Sequence, residues 1–223
     1  MAVFRFIRNL LFAYFLAVGV LTIAYLFIPP VSTVMMLSWL RGDGMQREWV
    51  ALRHVSTPVI RAVLASEDGR FCEHYGIDWV AMRKVMAEAK RRGQPPTKGA
   101  STITMQVAKN LFLFNGRNWV RKALEAPIAL WIDFAWPKQR ILEVYLNIAE
   151  WGDGVFGIEA ASRRAFGIPA SQLNSAQAAM LAVVLPDPAE RSAARPGPAM
   201  RSMAGTVQAR MARDPHVGYC VGR

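Results

Sequence analysis

A chain of 223 residues suits one ordinary domain plus an appendage. With 53% hydrophobic and 19% charged residues, it can build a sizeable core, and disorder over most of the length is excluded. The balance of 27 Lys and Arg against 16 Asp and Glu, a net charge of +11, leaves three readings: nucleic acid, anionic lipid or an anionic substrate.

Leu10 to Ile28 is an uncharged apolar run, long enough to cross a bilayer as one helix. No small-residue cleavage site comes after it, so it reads as an anchor and not as a removed signal. Arg5 and Arg8 precede it without an acid, which keeps residues 1–9 cytoplasmic and exports the chain beyond Pro30. Export argues against nucleic acid and leaves membrane lipid and an anionic substrate.

Residues 29–56, with Pro29, Pro30, Gly42 and Gly44, read as a connector. From Thr57 the pattern is helical, and the expected domain runs over 57–185. Thr57 reads as an N-cap with Pro58 first in the helix, followed by Val59, Ile60, Val63 and Leu64 at helical spacing. Asp78 reads as the N-cap of a second helix to about Arg92, and Ser101 as the cap of a third through Leu111. A fourth is expected from Trp119 to Phe134 and a fifth from near Pro137. After the turn "EWGDGVFG" come Ile158–Phe166 and Ser175–Leu185. Residues 186–223, rich in Pro, Ala and Arg, read as a tail with one amphipathic helix near Val207. Cys72 and Cys220 fit no metal spacing, and their separation does not establish a disulfide. No strand series stands out, and the fold class is mainly α.

Chemistry concentrates in a few segments. "ASEDGRFCEHYGIDW" places Glu67, Asp68, Phe71 and His74 close together. Glu67 ends a helix, where the dipole disfavours a carboxylate and burial would raise its pKa towards that of a general base. Its other use is an ion pair with Arg70. Asp68 suits an ion pair with another helix, Phe71 the core, and His74 an organising hydrogen bond. In "STITMQVAKNLFL" helical geometry turns Thr102, Gln106, Lys109 and Asn110 to one side and Ile103, Val107 and Leu111 to the other. With Lys98 and Ser101 just before it, that helix start suits an anion such as phosphate. Arg121, Lys122 and Glu125 admit both an ion pair within the helix and phosphate binding.

Four blocks in order, "EDGRFCEHYGID", "KGASTITMQVAKN", "RKALE" and "KQRILEVYLNIAEWGDGVFGIEAAS", resemble the peptidoglycan glycosyltransferases, in particular the membrane-anchored monofunctional ones. The resemblance covers roughly Thr57 to Leu185. It implies a lysozyme-like helical domain that polymerises lipid II into β-1,4 glycan and releases polyprenyl pyrophosphate. It implies Glu67 as catalytic base and Glu125 as a second catalytic glutamate. Lys98, Ser101, Thr102, Gln106, Lys109, Asn110, Arg121 and Lys122 are implied to bind substrate, while Asp68, Phe71 and His74 shape the first motif. No cofactor is obligatory, with Mg or Mn as an optional divalent cation. Implied partners are lipid II, the nascent strand, membrane lipid and other cell-wall synthesis proteins such as the divisome. The implied place is the bacterial inner membrane, single-pass, with the domain in the periplasm and no transpeptidase domain. Met105 stands where the family has a first glutamine, at the edge of the polar face, and Ala100 where it has a second glycine. Competing readings are a glycan-cleaving muramidase or lytic transglycosylase and an inactive scaffold. The basic residues around Glu67 favour polymerisation, because cleavage of a neutral glycosidic bond needs no anion site.

Overall fold

The computed structural model describes residues 1–42, 44–95, 100–113 and 119–222. Among them are ten α-helices and three very short strands. α1 (Ala2–Ala24) is the apolar N-terminal helix, and from Val3 it is long and apolar enough to cross a membrane. It starts earlier than the uncharged run, taking in Arg5 and Arg8. Its later half is not isolated: Val18 and Thr22 are buried, Trp136 Nε1 donates to Thr22 O at 2.8 Å, and Tyr14 Oη donates to Phe112 O at 3.1 Å.

The segment read as a connector is structured. α2 (Thr33–Arg41) is capped by Ser32, whose side chain accepts from Met35 N, and it packs on the later helix α5. β1 (Gln46–Arg47) comes next. The apolar spacing of α2 is short, and its flanking prolines and glycines hid it.

α3 (Thr57–Glu67) is capped one residue earlier than the sequence implies: Ser56 is the N-cap and Thr57 is already helical. Its apolar face is fully buried at Val59, Ile60, Val63 and Leu64. α4 (Trp79–Arg92) is capped by Asp78, whose carboxylate accepts from Val80 N and Ala81 N. α5 (Ile103–Phe112) is capped by Thr102, not Ser101. The Thr102 hydroxyl accepts from Met105 N and also donates to Gly76 O, so the cap ties the helix start to the preceding loop. Gly76 has φ +74°, and a Cβ there would lie 2.7 Å from Ala129 O, so only glycine lets the loop pass so close to the Ala129 backbone.

α6 (Trp119–Ala135) and α7 (Lys138–Ile148) pack on α5. β2 (Glu150–Gly152) and β3 (Val155–Phe156) form a small sheet with β1, ordered β1-β3-β2, parallel between β1 and β3 and antiparallel between β2 and β3. α8 (Ile158–Phe166) and α9 (Ser175–Ala182) come after the sheet, the latter closed by a capping box of Asn174 and Gln177.

The expected tail is part of the domain. α10 (Pro198–Arg213) buries Met200, Ala204, Val207 and Met211 against α9 and α3. These residues recur every three or four positions, a helical stripe that outweighs the loop-like composition around it. Beyond α10, Cys220 forms a disulfide with Cys72 in the loop after Glu67, across 148 residues of sequence. Tyr219 Oη also donates to Cys72 O at 3.1 Å, and Gln139 Nε2 donates to Cys220 O at 2.7 Å. The cross-link closes a long loop of chain, which stabilises a fold by about 2–4 kcal/mol. The Cys72→Ser/Cys220→Ser variant should therefore unfold at lower denaturant concentration than the oxidised protein, and reductant should lower only the latter's midpoint. An unchanged midpoint would mean that α10 packing alone holds the C-terminal segment.

Candidate active site

Glu67, the last residue of α3, faces a cleft. Its position is set by the residue after it. Asp68 is buried, and its carboxylate accepts from His74 Nε2 at 2.9 Å and from Ile103 N at 2.9 Å. The second bond takes one of the free N–H groups at the start of α5. Asp68 therefore pins the end of α3 to the start of α5, and it holds His74 and a backbone N–H of that helix in place of the expected ion pair with another helix. Phe71 lies in the core beneath the loop, with Lys138 Nζ 4.6 Å from its ring centroid. Lys138 also donates to His74 O and pairs with Asp133, both at 2.7 Å. Arg70 pairs with Glu73 at 2.9 Å and lies 3.8 Å from Asp78, so it is engaged elsewhere than with Glu67.

With α3 and α5 fixed, Gln106 Nε2 donates to Glu67 Oε2 at 3.0 Å, and Ser66 Oγ is 3.4 Å from Oε1. The Gln106 amide oxygen accepts from the hydroxyl of Tyr145 on α7 at 3.2 Å. This fixes the amide with its NH2 towards the glutamate. Burial pushes the Glu67 carboxyl above the usual carboxylate range, and the charge of Asp68 adds to this. The bonds from Gln106 and Ser66 and the charge of Lys109 oppose it. Burial raises the Tyr145 hydroxyl well above its ordinary value, as do the carboxylates of Glu67 and Asp68. It therefore stays a donor.

The cleft has two arms that share Gln106 and Pro186. The larger, about 760 Å³, is lined by Glu67, Ser101 and Gln106, then by Arg191, Thr206 and Arg210 of the C-terminal segment. The smaller, about 200 Å³, is lined by Gln106, Lys109, Asn110, Tyr145 and Glu150, with Val34 of α2. Glu150 is half-buried, which raises its carboxyl above the usual range; Asp153 adds to this, and a bond from Gly154 N opposes it.

The structure thus gathers Glu67, Ser101, Gln106, Lys109 and Asn110 around one cleft. Thr102 is buried as a cap. Met105 is buried in the core, not at the edge of the polar face, so a glutamine there would meet packing and not the cleft. Glu125 is buried on α6, with Lys122 Nζ 3.7 Å from its Oε2. Lys98 and the Arg121 side chain lie outside the described residues. Among the described residues, no three His, Cys, Asp or Glu side chains gather to hold a metal ion. Sequence reasoning passed over Tyr145, Glu150, Arg191, Thr206 and Arg210. Tyr145 looked like packing because it sits on an apolar face, and the last three lie in the supposed tail.

The raised pKa of Glu67 bears on stability. Above the folded-state pKa the group must ionise at a cost in the folded protein, whereas below the unfolded pKa it is protonated in both states. Glu67→Gln should therefore melt higher than wild type at neutral pH, and the gain should vanish as pH falls below the ordinary carboxylate range. A gain that is independent of pH would mean that the carboxylate is not desolvated.

Comparison with known proteins places this geometry in a family. Residues 34–212 match the family model described as Transglycosylase. The chain is 52% identical over 210 residues to a biosynthetic peptidoglycan transglycosylase of Nitrobacter hamburgensis, covering 91% of this chain and 92% of the relative. It is 50% identical over 188 residues to one of Rhizobium meliloti, covering 84% and 79%, and 50% identical over 220 residues to one of Rhodopseudomonas palustris, covering 97% and 96%. The match begins inside α2 and ends within α10, so the segments taken for connector and tail fall largely within it, and the chain belongs to the transglycosylase family.

Proposed function

We propose that this protein polymerises lipid II into β-1,4-linked peptidoglycan strands. The observation that carries the reading is Glu67: a desolvated carboxylate, oriented by Gln106, at a cleft whose neighbouring arm carries Lys109 and Asn110. It is supported by relatives of about half identity that are named biosynthetic peptidoglycan transglycosylases.

Glu67 takes the proton from the 4-hydroxyl of the incoming GlcNAc as that oxygen attacks the anomeric carbon of the MurNAc at the end of the growing strand. The carbon–oxygen bond to polyprenyl pyrophosphate breaks in the same displacement, and inversion at an α-linked carbon gives the β bond. A base with a pKa raised towards neutrality serves this better than an ordinary carboxylate. Gln106 and Tyr145 keep the carboxylate aimed as its charge is lost. Lys109 and Asn110 meet the pyrophosphate, whose growing negative charge their donors stabilise. Arg121, Lys98 and Lys122 are proposed to add cations to that site, and Glu125 to assist the leaving group. A divalent cation such as Mg or Mn is proposed as optional, since such an ion needs only one or two carboxylates beside the substrate's phosphates.

The lipid substrate fits the apolar surfaces. α1 is proposed to span the bacterial inner membrane with its N-terminus cytoplasmic. Beside it, α2 exposes Met36, Trp39 and Leu40, and α6 exposes Leu130, Trp131 and Phe134. Together with the packing of α1 from Tyr14 onward, these faces support a proposed position of the domain in the outer leaflet on the periplasmic side, where polyprenyl chains lie. Other cell-wall synthesis proteins, the divisome among them, are the proposed partners of a monofunctional polymerase.

Glu67→Gln should lower the rate of lipid II polymerisation by roughly a hundredfold or more, the scale of what a positioned base contributes. Lys109→Ala should lower it by about a hundredfold while the melting curve holds, because packing of α5 comes from Ile103, Val107 and Leu111. Measured polymer formation decides the matter. A Glu67→Gln enzyme at wild-type rate, or cleavage of finished glycan in place of polymer growth, would overturn the reading.

A further inference from the structure

Two cations of the cleft have no part in the reaction just drawn. Arg191, after α9, and Arg210, on α10, line the larger arm with Glu67 and Thr206. Each guanidinium is anchored to a main-chain carbonyl. Arg191 Nη1 donates to Val183 O at 2.8 Å, and Arg210 Nη1 donates to Ala65 O at 3.4 Å, two residues before Glu67. Neither forms a salt bridge among the described residues. A guanidinium carries five N–H donors. One carbonyl contact fixes its direction without cancelling its charge, and the remaining donors form a fork suited to a carboxylate or a phosphate.

The side of the cleft selects between those anions. The smaller arm contains Val34 of α2, the helix whose other side exposes Met36, Trp39 and Leu40. The pyrophosphate, joined directly to the polyprenyl chain, belongs there with Lys109. The larger arm is lined by α3, the start of α5, the turn after α9, and α10, and among the described residues that line it none belongs to α1 or α2. The part of the substrate that extends away from the lipid is the disaccharide with its stem peptide, and the anions it brings are the peptide's carboxylates. We propose that Arg191 and Arg210 bind stem-peptide carboxylates and so make the enzyme selective for an anionic stem. The proposal rests on the lipid II reading above.

The test compares polymerisation of lipid II bearing free stem carboxylates with that of lipid II whose stem carboxylates are amidated. For the Arg191→Gln/Arg210→Gln variant, KM on the free-acid substrate should rise about tenfold, the scale of lost charge-assisted hydrogen bonds, with kcat nearly unchanged. Wild type should show a similar rise on the amidated substrate, and the variant should no longer distinguish the two. The Arg191→Lys/Arg210→Lys variant should recover part of the preference. Arg201→Ala, exposed on α10, should behave as wild type, and equal melting curves should accompany all of these. An unchanged KM, or a rise of equal size on both substrates, would overturn the proposal; the second result would assign the two arginines to the pyrophosphate. A wild-type enzyme that polymerises neither substrate would instead overturn the function from which the proposal starts.

Discussion

The buried carboxylate of Asp68 is the constraint on which the site depends. One side chain satisfies His74 Nε2 and the first N–H of α5, and so joins three pieces of chain: the end of α3, the loop 69–77 and the start of α5. A buried carboxylate without donors would be costly, and these bonds replace the water it gave up. The Thr102 hydroxyl repeats the connection by bonding Gly76 O. Glu67 is not positioned by its own contacts in the first instance. It is carried to Gln106 because its neighbour fixes the two helices that bear them.

Around that junction the chain assembles a cleft from distant segments. α3 supplies the base, α5 the amide and the lysine, α7 the tyrosine, and the segment after α9 the opposite wall. The disulfide joins the loop after Glu67 to the segment that follows α10, so the C-terminal part of the chain that carries Arg210 is tethered to the motif loop. Rigidity of this kind suits a reaction in which two large substrates must be held in line while a single proton moves.

Much of this was legible in the sequence, unevenly. The helical class and the bounds of α8 stem from strong apolar periodicity, and Asp78 as a cap from its chemistry. Glu67 stood out because a carboxylate at a helix end is misplaced unless something uses it. Caps such as Ser56 and Thr102 were missed by one residue, because adjacent hydroxyl residues are equivalent in sequence and only the loop's path chooses between them. Composition hid α2, whose flanking prolines and glycines masked a short apolar stripe; the helix near Val207 was legible as α10, but not its packing against α3 and α9. Tyr145 could not be distinguished from a packing residue, since its ring is core and only its hydroxyl reaches Gln106. Arg191 and Arg210 became visible as cleft residues only once α10 was seen to fold back on α3.

The most direct test of the account is the polymerisation rate of Asp68→Asn with Glu67 left intact. The amide keeps the size of the side chain but weakens the charge-assisted bonds to His74 and Ile103 N. A buried hydrogen bond to a charged group is worth about 1.5–3 kcal/mol. The account predicts a protein that still folds, with its helical signal retained, but polymerises lipid II at least about tenfold more slowly, because Glu67 is no longer held against Gln106. A variant that polymerises at the wild-type rate would contradict the claim that Asp68 positions the base.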